Sequence, residues 1–142
     1  MFRRLLPVTG LAALCLSSVL SAHHSLSAGY FLDHTIQLTG VVTEVDWSNP
    51  HVRYFVNVAD SSGAIRNWNV EALAPHLMIK GGIERAAVKI GDRVTFTGYA
   101  GKNLSPAVKQ AVAMTRMALP GGKNVEIDPV HWTMQPPSPA PR

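Results

Sequence analysis

Cysteine is almost missing from this 142-residue chain; Cys15 is the only one. Charge is sparse, at 15% of residues, and aromatics make up 7%. The one mainly apolar run, residues 11–20 (LAALCLSSVL), has no counterpart of similar length further on. Each shortage excludes something. A single Cys supports neither an internal disulfide framework nor a Cys-based zinc site. The serines sit in turn-like contexts without a nucleophile elbow. No phosphate loop, dinucleotide fingerprint or HExxH motif occurs. A run of ten residues is too short to span a bilayer, so no stable membrane insertion is expected.

What is present at the N-terminus has the layout of an export leader. Arg3 and Arg4 precede the apolar run, and Ser21 and Ala22 supply small residues for cleavage. A lipoprotein signal wants a small residue before its Cys, whereas Leu14 precedes Cys15. Residues 1–22 are therefore expected to be a signal peptide, and the protein periplasmic or secreted from a bacterium. Cys15, Arg3 and Arg4 leave with the leader. The formal charge then falls from +4 to +2, with 11 basic against 9 acidic groups. Despite a whole-chain pI near 9.6, that balance is no nucleic-acid footprint. The partners expected are a small ligand or a periplasmic protein, with nucleic acid excluded.

Residues 35–119 carry strand signals separated by turns. Ile36 and Leu38 are apolar on even positions, and Val41, Val45 and Trp47 on odd ones. A change of phase at Gly40 and Val41 predicts a β-bulge in the first strand. Asn49-Pro50 makes a turn. Val52, Tyr54, Val56 and Val58 then share one face of a second strand, and Asp60 to Gly63 (DSSG) closes a hairpin. Trp68, Val70 and Ala72 mark a third strand. Pro75 opens a short helix that Gly81 and Gly82 stop. A fourth strand follows Gly91-Asp92, and a fifth runs from about Lys109 to Leu119. Met114 and Met117, three apart, should face opposite sides of that strand. Five strands, a bulged first strand and a helix between the third and fourth predict an all-β chain with one short helix. The architecture expected is a small five-stranded OB-fold-like barrel. Residues 23–34 form an N-terminal segment before it. Residues 120–142 form a proline-rich tail, and residues 124–127 read as a short extended piece that pairs at an edge.

The candidate functional residues are mostly histidines and their neighbours. Cleavage after Ala22 would put His23 first, followed by His24. A free α-amine with imidazoles is a nitrogen ligand set suited to copper or another late transition metal. His51 could add a further ligand. His51 also belongs to a local cluster with Trp47, Asn49 and Tyr54, where an aromatic surface beside an imidazole suits a planar or sugar-like ligand. The alternative is structural: Trp47 caps the barrel and His51 bonds the turn backbone. Glu44 and Asp46 share a strand face and are better explained as solvated. No catalytic residue is assigned, and the chain is not expected to be an enzyme.

Four motifs carry a family resemblance: AHHS at residues 22–25, LTG at 38–40 with Val41 and Val42, the Trp47 to His51 run (WSNPH), and KIGDRV at 89–94. Together they resemble a bacterial exported (periplasmic) family of unknown function with an AHHS mature start and a W-x-NPH motif. The resemblance implies an exported small β-barrel and supplies no activity. Members often carry an acidic stretch after the HHS start; here it is LSAGY. Two readings follow for the function. One is a binding or accessory module that presents Trp47, Asn49, His51 and Tyr54. The other is copper binding through His23, His24 and His51.

Overall fold

A computed structural model describes residues 26–102 and 110–127. The expected leader, His23, His24 and the proline-rich tail lie outside the described residues. A single turn of helix, α1 (Leu26–Gly29), leads directly into β1 (Tyr30–Asp46). Then come β2 (Arg53–Ala59), β3 (Ile65–Glu71), α2 (Pro75–Lys80) and a 3-10 turn (Arg85–Ala87). β4 (Arg93–Gly101), β5 (Ala111–Ala118) and the short β6 (Asn124–Glu126) complete the order. β1 starts at Tyr30, before its alternation becomes readable, because residues 31–34 are all exposed and show no inward partner pattern.

The strands run β3-β2-β1-β4-β5-β6, and a parallel pairing of β3 with β5 closes the first five into a ring. Neighbouring positions trace the stagger of that ring. Asp46 pairs with Arg53, Arg53 with Glu71, Glu71 with Ala113, Ala113 with Tyr99, and Tyr99 with Thr35. The path returns to β1 far from Asp46, which is the shear that a closed, tilted barrel requires. This is the five-stranded, OB-fold-like barrel that the strand order predicts.

The bulge in β1 lies at Thr43, two to three residues later than expected. Val42 pairs with Val56 and Glu44 with Phe55, so Thr43 is the extra residue. Gly40 instead keeps its inward position. A Cβ there would stand 2.3 Å from the Asn57 carbonyl oxygen, so its glycine permits β1 to cross β2 closely. Val41 faces outward and is 39% exposed. An apolar residue does not have to be inside, and here Val41 gave a false phase.

A second bulge corrects the methionines. Thr97 pairs with Arg116 and Gly98 with Met114, leaving Thr115 as the extra residue in β5. The inserted residue resets the alternation, so Met114 and Met117 are both fully buried. Around them the core packs Val42, Val56, Val70, Val94 and Phe96, each at most 1% exposed. α2 adds Met78 at one end of the barrel, with Pro75 in its first turn and Gly81 at its C-terminus.

Tyr54 belongs to this interior rather than to a surface. It is 1% exposed, and its ring lies 5.4 Å from that of Phe96, tilted by 34°. Its hydroxyl has no hydrogen-bond partner among the described residues, and burial pushes the phenol well above its ordinary range. An unpaired buried hydroxyl costs about 1–3 kcal/mol. Tyr54→Phe should therefore keep or raise the melting temperature. Gly40→Ala should lower it, because the new methyl meets a backbone carbonyl that cannot step aside. Thermal unfolding followed by circular dichroism measures both.

Candidate functional site

Strand alternation lines up three charged side chains on the outer face at one end of the barrel. Asp46 on β1, Arg53 on β2 and Glu71 on β3 occupy paired positions, so negative, positive and negative charges follow one another across the sheet. Opposite charges at directly paired positions stabilise a sheet. Arg53 donates from Nη2 to Asp46 Oδ2 at 2.7 Å, and the Ser48 hydroxyl donates to Asp46 Oδ1 at 2.5 Å. These donors, Ser48 first and Arg53 next, hold the Asp46 carboxyl below its ordinary range. The pair is open to solvent, which screens it, so it adds little to stability.

His51 joins this row from the turn. The backbone of Val52 bonds to β3's continuation, accepting from Ala72 N–H at 2.8 Å and donating to Leu73 at 3.0 Å. That pairing extends the β2–β3 register back past Arg53 and sets His51 diagonally across from Glu71. The His51 Nδ1 and Glu71 Oε1 are in direct contact. On its other oxygen, Glu71 accepts a hydrogen bond from the Tyr30 hydroxyl. Tyr30 comes from the far end of β1, beside Gly101 of β4.

Glu71 is the centre of this cluster. Burial by itself would raise its carboxyl, but hydrogen bonds from His51 and Tyr30, with the charges of His51 and Arg53, outweigh burial. The net result is a carboxyl held below its ordinary value. An ionised carboxylate can only accept, so both contacts are donated to it. His51 therefore carries its proton on Nδ1, and in the neutral ring that tautomer puts the lone pair on Nε2. Tyr30 is pushed strongly upward, first by burial and then by the charge and hydrogen bond of Glu71, so it stays a donor throughout the ordinary pH range.

Of the four residues expected at a binding edge, His51 belongs to this cluster, Trp47 and Asn49 lie in the turn that leads to it, and Tyr54 faces the other way. Trp47 is half-buried and packs against the core, Asn49 is exposed, and the His51 side chain is 35% exposed. The Asn49–Pro50 peptide bond, between them in the turn, is cis. Tyr54 lies inside the barrel, because its even position points inward while His51 and Arg53 point outward. His51 bonds the Glu71 carboxylate. His34 is exposed on β1, and His76 is exposed in α2.

Tyr30 and Glu71 were missed by sequence reasoning. The hairpin register, counted back from residues 60–63, would have placed Glu71 opposite Arg53. No local signal could have placed Tyr30, whose contact spans 41 positions in the chain. Among the described residues no group of three His, Cys, Asp or Glu side chains could hold a metal ion. The histidines of the expected metal set other than His51 lie outside the described residues.

The lowered carboxyl has a consequence for pH. A group whose folded value is depressed adds stability above its unfolded value, and that stability is lost as pH falls through the folded value. Wild-type protein should lose melting temperature more steeply than Glu71→Gln as pH drops from about 6 to about 3. The two curves should converge at the acid end. Thermal unfolding across that range measures the difference; parallel curves would show that Glu71 is not held ionised.

No curated protein matches the chain. Similar solved structures include the mitochondrial single-stranded DNA binding protein Rim1 of S. cerevisiae, at 11% identity and a TM-score of 0.45, covering 61% of this chain and 92% of that one. The N-terminal domain of PriB from Thermoanaerobacter tencongensis, solved as a dimer, matches at 15% identity and a TM-score of 0.45, covering 61% and 94%. Likeness at this level concerns the fold. It nevertheless corrects the list of expected partners. Single-stranded DNA binding proteins are among the structures similar to this one, so the expected exclusion of nucleic acid, which rested on net charge, is withdrawn. No helix among the described residues is long and apolar enough to cross a membrane. The model of a family described as being of unknown function, DUF6152, matches residues 12–109. The chain belongs to that family.

Proposed function

We propose that this protein is an exported binding or accessory module whose recognition edge is formed by Trp47, Asn49 and His51. The observation that carries this reading is the anchoring of His51 by Glu71. A half-exposed imidazole held by a half-buried carboxylate, itself fixed by Tyr30, is a polar group positioned in advance of any ligand. Positioning of this kind lowers the ordering cost of binding. Trp47 supplies an adjoining aromatic surface and Asn49 an amide that can both donate and accept. The chemistry suits a small planar or sugar-like ligand, or a loop of a partner protein that carries such groups. Export rests on the leader layout of residues 1–22 and places the module in the periplasm or outside the cell.

The test is a titration of the protein with a panel of aromatic heterocycles and oligosaccharides, followed by NMR. Shifts should concentrate at the Trp47 indole N–H, the Asn49 amide and the His51 ring. Trp47→Ala with His51→Ala should weaken binding by about tenfold or more. Ligands whose shifts map elsewhere, or that bind the double variant equally well, would refute the reading.

A second reading, copper or another late transition metal at His23 and His24 with His51, is supported by the course of the chain. Leu26 is buried, so the segment following those histidines is tied to the barrel. Four residues on, Tyr30 reaches the carboxylate that holds His51. Cu(II) titration of protein beginning at His23, beside protein with one residue added before it, tests this. Loss of affinity on extension is expected if the α-amine is a ligand, and equal affinity would remove the amine from the site.

A further inference from the structure

β3 and β6 share one edge of β5, because β4 holds the other. β6 pairs with residues 116–118 of β5, and β3 pairs with residues 111–113. Ile127 takes the last place before the changeover, donating its N–H to the Thr115 carbonyl at 2.7 Å. The chain after Ile127 therefore has no room left along β5 and must turn away from it. Asp128-Pro129, the next two residues, suit such a turn.

The point of departure is an apolar hollow. Between β6, α2 and the residues that follow β3, a cavity of about 280 Å³ is lined by Leu73, Leu77, Met78, Ile83, Val125 and Ile127. Ile127 is itself part of the wall, so the chain leaves the described residues from within the hollow. The charged lining residues are Lys80 and Glu126. Glu126 is bonded to Arg116, whereas Lys80 joins no ion pair among the described residues.

Fifteen residues, 128–142, follow Ile127. They begin DPVHWTM, in which Val130, Trp132 and Met134 alternate with His131 and Thr133. An extended segment carries those three apolar side chains on one side. Its first residue, Asp128, has the charge opposite to that of Lys80, and Pro129 biases Asp128 toward an extended backbone. The reach is sufficient. Five residues, 128–132, span up to about 17 Å, whereas the six residues of α2 are about 9 Å long.

We infer that residues 130–134 dock into this hollow of their own molecule, with Trp132 against Leu77 and Met78 and Asp128 beside Lys80. The tail is favoured over a separate partner because it is already at the site. Closing so short a loop costs little entropy, whereas a second molecule loses translational and rotational freedom on binding. A buried aromatic side chain contributes about 150–250 Å² of contact surface, enough to make Trp132 the anchor. This inference does not depend on the proposed recognition edge, which uses residues of the β1–β2 turn.

A nitroxide attached to Thr133→Cys, in a Cys15→Ser background of the full chain, tests it by methyl NMR. The methyls of Leu77, Met78 and Ile83 should broaden, and those of Ile65, at the far end of β3, should stay sharp. Adding Trp132→Ala to the labelled chain should remove most of that broadening. The core described above is built without Trp132, so the fold should be retained, which circular dichroism checks. Mixing nitroxide-bearing chain of natural isotopic abundance with isotope-enriched chain lacking the nitroxide separates docking within one molecule from docking on a second copy; no broadening is expected in the mixture. Hollow methyls that stay sharp, broadening of Ile65 to the same extent, or broadening unchanged by Trp132→Ala would each overturn the inference. So would broadening that the mixture reproduces.

Discussion

Three parallel residue pairs, Asn69 with Ala111, Val70 with Val112 and Glu71 with Ala113, convert an open sheet into a barrel. A further backbone bond from Asn69 N–H to Gln110 O, at 2.9 Å, extends that closure. The seam is short, and the rest of the molecule depends on it. Without it β3 would be an edge strand and Val70 and Val112 would lose their enclosure. The stagger that brings Tyr30 back toward Glu71 would also be lost. Two glycines make the closure geometrically possible: Gly40 lets β1 cross β2, and Gly98 lets β4 approach Ala113, whose carbonyl would be 2.1 Å from an added Cβ.

Glu71 connects this seam to the candidate site. Its backbone belongs to the closing ladder, and its side chain receives His51 on one oxygen and Tyr30 on the other. Orientation of the imidazole is therefore a by-product of barrel closure. Arg53 and Asp46 extend the same row, and their alternation in sign balances the carboxylates without burying a net charge. The site consequently combines a rigid polar centre with a turn, from Trp47 to Pro50, that faces solvent on its Ser48, Asn49 and Pro50 side.

Much of the fold was legible because the residues of β2, β3 and β4 alternate cleanly: Val52, Tyr54 and Val56 all prove buried, as do Val94 and Phe96. Proline and glycine also marked α2 correctly at both ends. The errors all came from alternation that an extra residue interrupts. Val41 suggested a bulge at Gly40 when the bulge is at Thr43, and the Thr115 bulge reversed the expected placement of Met114 and Met117. Bulges shift the phase of everything after them, and the apolar pattern alone does not say which residue is the inserted one. For the candidate site, His51 and Trp47 were legible as a dense local cluster. Tyr54 was assigned to it by proximity in sequence, although its even position already placed it on the other face from His51.

The sequence by itself determined the strand order, the interposed helix and the family motifs, because these depend on local periodicity and on short turn signals. Only the tertiary structure decided which carboxylate would hold His51, because Glu71 and Tyr30 meet through the stagger of a closed barrel. Twenty residues separate His51 from Glu71 and 41 separate Tyr30 from Glu71. The scarcity of charge took on a different meaning in three dimensions. The few charges are not scattered evenly: Asp46, Arg53 and Glu71 form one row across three neighbouring strands.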